Sequence, residues 1–292
     1  MPELPEVETV RRDLERSTLH QTIASVEVLL DRTIAHPSPA DFCSRLSGQQ
    51  LVDWQRRGKY LLGELSSGDR LGVHLRMTGQ LLWLESSDEP VHKHTRVRMA
   101  IAQGRELRFN DCRTFGQIWL VPSGIPTATI VTGLAKLGPE PLSPEFSEEY
   151  FYQQLQTSRR PIKNALLDQR LVAGVGNIYA DEALFLAQTH PQTPCDRFTR
   201  PWSAQLRACL IQVLSDSIEQ RGTSFSSYRD LGGVNGNYLG HAWVYSRKGK
   251  PCRRCDGEIV RIKLAGRSAH FCPNCQFSSS AKLTSWLRCH KP

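Results

Sequence analysis

Two groups of residues have the types and spacing to do chemistry, one at each end of the chain. The first is Met1-Pro2-Glu3-Leu4-Pro5-Glu6-Val7. Methionine aminopeptidase removes a leading methionine before a small residue, so the mature chain is expected to begin at Pro2. A terminal proline is a secondary amine with a pKa near ~8, far below that of lysine. It is partly unprotonated at neutral pH and competent to attack an electrophilic carbon, giving an iminium. Glu3, one peptide bond away, is placed to exchange a proton with whatever Pro2 attacks. An ordinary helix start rich in Pro and Glu accounts for the same letters, so this stretch leaves both readings open.

The second group is Cys252-Arg253-Arg254-Cys255 and Cys272-Pro273-Asn274-Cys275, sixteen residues apart. This spacing matches a four-thiolate tetrahedral zinc site, with two ligands from each tight turn. Four thiolates leave no open coordination position, so the one zinc ion expected here is structural. Residues 258–263 and 268–271 read as hairpin strands between the pairs, presenting Lys263 and Arg267 to phosphates. Redox pairs are the competing reading of CxxC. Cys43, Cys112, Cys195, Cys209 and Cys289 are scattered and expected to be reduced thiols.

The elements that must position these groups follow from periodicity. Val7, Val10 and Leu14 recur at helical spacing behind Pro5, which suits a first helical position. Residues 22–31, 51–55, 60–65, 71–76, 80–84, 96–101, 106–109 and 117–120 carry alternating or β-rich patterns, with helices returning only after the linker. So many short strands indicate a sandwich or flattened barrel. Helices are expected over 147–156, 161–169, 177–187 and 203–221, the last with Leu206, Leu210, Val213, Leu214 and Ile218 on one face. Leu171-Val172-Ala173-Gly174-Val175-Gly176-Asn177 would turn tightly into a helix N-terminus able to hold a phosphate, or simply connect two helices. Residues 222–240 are rich in Gly, Ser, Asn and Tyr and read as a lid or a linker.

The fold class expected is α+β and multidomain: a β-sandwich with flanking helices, then a helix–two-turn–helix bundle and a β-hairpin zinc finger. The boundaries read from the sequence are 1–132, a linker at 133–146, 147–240 and 241–292. Of 292 residues, 39% are hydrophobic and 23% charged, and the formal charge is +8. Residues 247–292 hold 11 of the 37 basic residues and 2 of the 29 acidic ones, leaving 26 and 27 elsewhere. The whole basic excess therefore lies in the C-terminal tail, which suggests a polyanion partner. A merely solvated tail has the same composition. No run approaches a membrane span, and the start lacks a basic and apolar leader, so a cytoplasmic protein is expected.

Pro2-Glu3-Leu4-Pro5-Glu6-Val7, Arg56-Arg57-Gly58-Lys59-Tyr60-Leu61-Leu62, His74-Leu75-Arg76-Met77-Thr78-Gly79, Arg113-Thr114-Phe115-Gly116 and Gly174-Val175-Gly176-Asn177-Ile178-Tyr179 occur in order. With Val244-Tyr245 and Cys272-Pro273-Asn274-Cys275-Gln276, the chain resembles the formamidopyrimidine-DNA glycosylases of bacteria essentially end to end. The resemblance implies excision of oxidised purines from damaged double-stranded DNA. In that family chemistry Pro2 attacks C1′, Glu3 protonates the sugar ring oxygen, and Lys59 assists base loss and β-elimination. Arg267 corresponds to the hairpin arginine assigned to δ-elimination and phosphate grip.

Such an enzyme flips the nucleotide, and by resemblance Met77, Arg113 and Phe115 fill the void. The resemblance makes His94, Arg159 and Asn177 phosphate contacts, with His74 and Lys163 as further candidates, and residues 222–240 the base-capping loop. It also implies a bacterial, nucleoid-associated monomer. Ser246 and Asp256 depart from the family pattern, where glycine is usual. Both substitutions would be expected to bear on hairpin geometry, since glycine allows φ > 0. Residues 278–292 run past the family's usual end. Two alternatives stay open: an endonuclease VIII-type glycosylase for oxidised pyrimidines, and a non-catalytic zinc-ribbon DNA-binding protein.

Overall fold

The computed structural model describes residues 1–223, 231 and 240–278. The expected capping loop at 222–240 and tail at 278–292 lie, apart from residues 222, 223, 231, 240 and 278, outside the described residues. The chain forms two compact units. One is Met1–Lys136 with Gln220–Asn237, and the other is Leu137–Glu219 with Tyr238–Pro292.

The first unit opens with α1 (Leu4–Thr18), whose N-cap is Glu3. Glu3 and Glu6 form a reciprocal capping box, with Glu6 Oε2 accepting the Glu3 N–H at 2.7 Å. The box satisfies first-turn donors from Glu3 onward, so the helix begins one residue ahead of Pro5. Leu4, Val7, Val10 and Leu14 form its buried face. Trp54 Nε1 donates to Thr18 Oγ1 at 2.9 Å, tying the far end of α1 to the sheet behind it.

Two sheets follow. β1 (Ile23–Val28), β7 (Thr95–Ile101), β8 (Arg105–Asp111) and β6 (Gly79–Leu84) lie in that order in one. β2 (Ile34–His36), β9 (Gln117–Val121), β5 (Arg70–His74), β4 (Tyr60–Leu65) and β3 (Leu51–Arg57) make the other. Their inward residues form one core, including Leu61, Val73, Ile118 and Leu120 from one sheet and Leu81, Val97, Leu107 and Phe109 from the other. Each strand expected from the alternation is present, because one face of every strand is buried there.

The expectation that helices return only after the linker fails at α2 (Pro39–Leu46). Ser38 caps it by accepting the Asp41 N–H at 3.2 Å, Pro39 occupies the first turn, and Phe42 and Leu46 bury one helical turn apart. A capping serine followed by proline is a start signal that the surrounding β-patterns mask. A single turn, α3 (Thr127–Ile130), is the last described α-helix of this unit.

The second unit holds α4 (Glu148–Gln156), α5 (Ile162–Leu166), α6 (Asn177–Leu186) and α7 (Arg200–Glu219). α5 ends at Leu166, short of the expected 161–169, and Gln169 beyond it shapes the following loop. Its Oε1 accepts the Gly174 N–H at 2.9 Å and its Nε2 donates to Val175 O at 2.8 Å, shaping the loop that feeds α6. The hairpin of β10 (Val260–Leu264) and β11 (Arg267–Phe271) closes the unit.

Two adjacent carboxylates on α6 hold the cysteine module. Fully buried Glu182 accepts the N–H groups of Trp243, Val244 and Tyr245 at 2.7, 3.0 and 2.8 Å. Burial raises its pKa, and those three donors oppose the rise. Asp181 Oδ2 accepts the His270 N–H at 2.9 Å, while its Oδ1 accepts from Lys163 Nζ at 2.5 Å.

Ser246 and Asp256 adopt φ of +59° and +57°, so the glycine-type conformation survives without glycine. An L side chain is disfavoured there, less so for aspartate. Ser246→Gly should therefore stabilise the metal-bound protein by about 0.5–1 kcal/mol, and Asp256→Gly by less. Thermal unfolding checks this; a lowered Tm for Ser246→Gly would contradict the assignment of strain.

Candidate active site and metal centre

The N-terminal site is built on the first turn of α1. Pro2, Glu3 and Glu6 are all buried. Glu6 Oε1 also accepts from the N–H and the hydroxyl of Thr223 at 2.7 and 2.8 Å. One carboxylate thus clamps the start of the chain to a segment more than two hundred residues away. The position of Gly222 allows this clamp. Its φ is +75°, and a Cβ there would lie 2.8 Å from Glu6 Oε1.

The β3–β4 turn brings Lys59, which is 6% exposed, to the same place. Arg56 Nε donates to Glu8 Oε2 on α1 at 3.1 Å, and Arg56 Nη1 donates to Gly58 O at 3.1 Å, so the turn is fixed to the helix. Burial of Glu8 would raise its carboxyl, but the hydrogen bonds and charges of Arg11 and Arg56 hold it below the usual carboxylate range.

The α-amino group of Met1 shows which side chains surround the terminus. Its pKa falls below the ordinary 8.0, chiefly through burial. Glu3 and Glu6 oppose the fall, while Lys59 and Arg113 add to it. Glu3, Lys59 and Arg113, three residues far apart in sequence, therefore act on one amine. A cavity of about 490 Å³ opens beside it, lined by Met1, Arg32, Arg76, Met77, Thr114 and Phe115 among others.

Met77 and Phe115 are among the large apolar side chains left exposed, at 38% and 52%. The Arg113 guanidinium lies over the Phe115 ring, 5.0 Å from its centroid. Exposed apolar groups braced by a cation suit a surface that meets stacked rings.

Two histidines differ sharply. His74 is buried, and its pKa is lowered to about 3 by burial and by the nearby Arg76 and Lys59 charges. Its Nδ1 accepts the Arg76 N–H at 2.9 Å, so the neutral ring meets an anion only as an Nε2–H donor. His94 is partly exposed and sits 3.2 Å from Arg96 Nη2 through Nδ1. Arg96 can only donate, so His94 Nδ1 accepts and Nε2 carries the proton outward.

In the second unit, Asn177 begins α6, and its Nδ2 lies 3.4 Å from Ser268 Oγ, next to Arg267. Its Oδ1 is buried with no hydrogen-bond partner. Arg267 is exposed at the start of β11, and Arg159 is almost wholly exposed with Asp196 at 3.4 Å. Lys163 does not reach the surface: it is 1% exposed, bonded to Asp181 and, at 2.5 Å, to Ser268 O. That ammonium holds the hairpin strand in place.

Cys252, Cys255, Cys272 and Cys275 converge, with all four Sγ atoms within 4.8 Å of one another. The Cys255–Cys272 and Cys252–Cys275 separations are 3.5 and 4.0 Å. Thiolates around one tetrahedral ion with bonds of about 2.3 Å stand roughly 3.8 Å apart, so the cluster fits a structural metal ion.

Sequence reasoning missed Asp111, Asp181 and Glu182. The adjacent acids inside the apolar run Ile178–Leu186 were the available signal for the last two, since buried carboxylates require partners.

The sandwich, the helix–two-turn–helix and the four-cysteine hairpin are each matched by the model of a known domain. Residues 1–118 match the Formamidopyrimidine-DNA glycosylase N-terminal domain, 137–229 its H2TH domain, and 249–276 the zinc finger found in FPG and IleRS. The chain is 56% identical over 280 residues to the formamidopyrimidine-DNA glycosylase of a Synechococcus species, covering 94% of this chain and 99% of that one. A Lactococcus lactis FPG mutant in complex with Fapy-dG containing DNA superposes with a TM-score of 0.87 at 38% identity, covering 94% and 99% of the two chains. The wild-type Lactococcus lactis FPG, solved with oxidized pyrimidine containing DNA, gives 0.86 at 38% identity over the same shares. The chain belongs to the formamidopyrimidine-DNA glycosylase family and is a DNA-repair glycosylase. Among the described residues, no helix is long and apolar enough to cross a membrane.

The cysteine cluster predicts one tightly held metal ion per chain. Cys272→Ser should lose the ion, and with it the order of the hairpin and much of the affinity for DNA. Elemental analysis of the purified protein checks the stoichiometry; folded, active protein without metal would contradict it.

Proposed function

We propose that this enzyme removes oxidised purines, 8-oxoguanine and formamidopyrimidines, from duplex DNA and cleaves the resulting abasic site by β,δ-elimination. The observation that carries the reading is the start of the chain: Pro2, the terminal amine once Met1 is removed, is buried at the head of α1 next to Glu3, with buried Lys59 acting on the same terminus. An amine so placed is an activated nucleophile. With Met1 removed, the Pro2 nitrogen is the attacking atom.

The Pro2 lone pair forms a bond to C1′, and the bond from C1′ to the base breaks, the base leaving with a proton. Glu3 protonates the ring oxygen as the sugar opens, and the nitrogen lone pair completes the iminium. Loss of a C2′ proton then expels the 3′ phosphate, and a second elimination expels the 5′ phosphate. Lys59 supplies charge and proton transfer at base loss and at the first elimination. Arg267 grips phosphate and serves the second elimination.

Extrusion of the nucleotide leaves a gap that Met77 and Phe115 fill, while Arg113 hydrogen-bonds the orphaned base. His94, Arg159, Asn177 and, as a neutral donor, His74 hold the phosphates. The four thiolates are assigned to zinc, which stiffens the hairpin bearing Arg267. The protein acts as a monomer in the bacterial cytoplasm. A second reading, excision of oxidised pyrimidines, is favoured by the Lactococcus lactis complex with such DNA.

The test is cleavage of duplexes carrying 8-oxoguanine, a formamidopyrimidine or an oxidised pyrimidine. Oxidised purines should be excised fastest, and Pro2→Gly should lower excision roughly hundredfold or more while DNA binding persists. Preference for the pyrimidine lesion would replace the first reading with the second. Full excision by protein retaining Met1 would exclude the Pro2 amine as the nucleophile.

A further inference from the structure

Met77, Arg113 and Phe115 sit on two separate turns, and a wedge works only if those turns keep a fixed spacing. Both turns converge on Asp111, the last residue of β8, which is 1% exposed. Its Oδ1 accepts the Thr78 hydroxyl at 2.5 Å and the Arg113 N–H at 3.2 Å. Its Oδ2 accepts the Gly116 N–H at 2.7 Å. One carboxylate thus grips the residue after Met77 and both flanks of the loop that carries Phe115.

The grip extends further through the backbone. The Asp111 N–H donates to His94 O at 2.9 Å, and its carbonyl accepts from Arg96 Nε at 2.8 Å. The Arg113 N–H also lies 3.2 Å from Thr78 Oγ1, so the turns touch directly across the carboxylate. Arg76 and Thr114, one on each turn, are held at φ of +53° and +58° without being glycine. Such conformations persist only where the surroundings over-determine them. At Gly116 a Cβ would lie 2.4 Å from Phe109 Cζ and 3.1 Å from Asp111 Oδ2, so the loop packs as tightly as its backbone allows.

We infer that Asp111 is a positioning residue that locks the Met77 and Arg113–Phe115 turns into one rigid wedge, and so sets nucleotide extrusion and reading of the opposite base. The inference rests on the void-filling role proposed above. At 1% exposure, Asp111 is too deeply buried to meet DNA itself. Its contribution is preorganisation, since a wedge that must be ordered during binding loses free energy that a rigid one keeps.

Asp111→Asn is nearly isosteric but turns one acceptor into a donor, facing either Gly116 or the Thr78–Arg113 pair. Thr78→Val removes the hydroxyl and leaves the Gly116 contact, so it carries the test if Asp111→Asn misfolds. The probe is a duplex with a stable abasic analogue and 2-aminopurine opposite it, whose fluorescence on binding reports unstacking of the orphaned base without any chemistry. Both variants should bind this duplex yet lose most of the fluorescence change. On lesion duplexes, excision should fall about tenfold more than cleavage of a preformed abasic site, and opposite-base preference should narrow.

Unchanged fluorescence and unchanged activity ratio in both variants would overturn the inference. So would an equal loss of binding, excision and abasic cleavage, which marks a merely structural residue. Failure of the proposed function is separate, because it shows as wild-type protein that excises no oxidised base while the fluorescence assay still works.

Discussion

A terminal amine is a useful nucleophile only if the terminus is held still, and everything at the N-terminal site depends on that constraint. Chain ends normally fray. Here Glu6 prevents it by accepting from Glu3 with one oxygen and from Thr223 with the other. The buried face of α1 and the Trp54–Thr18 hydrogen bond anchor the rest of the helix to the sheet. Lys59 follows because its turn is fastened to the same helix through Arg56 and Glu8. The lowered pKa of the Met1 amine reports that mounting: the terminus is held in a buried place, and burial penalises its charge.

The second unit solves a related problem with different means. A two-stranded hairpin is marginal alone, and β10–β11 must carry an exposed arginine. Its roots are fixed by buried carboxylates on α6, with Glu182 taking three N–H groups before the first cysteine pair and Asp181 taking His270 after the turn. Lys163 neutralises Asp181 inside the protein and holds Ser268 O. The cysteine cluster draws the two CxxC turns together around a structural ion.

Local patterns in the sequence revealed most of the framework. The strands of the sandwich showed as alternation because each has one buried face. The CxxC pairs showed because metal ligation fixes both residue type and spacing. Helix α2 was hidden, since eight residues among strand patterns give little periodicity to read. Side-chain roles set by distant contacts were hidden more deeply. By resemblance Lys163 and His74 were candidate phosphate contacts, but burial makes Lys163 an internal counter-ion and leaves His74 a neutral ring that can only donate to an anion. Asp111 gave no sign at all, because its meaning lies in three donors brought together only by folding.

The central claim is that the nucleophile is the amine of Pro2. Borohydride reduction of the enzyme during turnover on an 8-oxoguanine duplex, followed by proteolysis and mass spectrometry, tests it most directly. The account predicts a single stable DNA adduct on the peptide beginning at Pro2, attached at its nitrogen. An adduct on Lys59 or another lysine, with the terminal peptide unmodified, would contradict it.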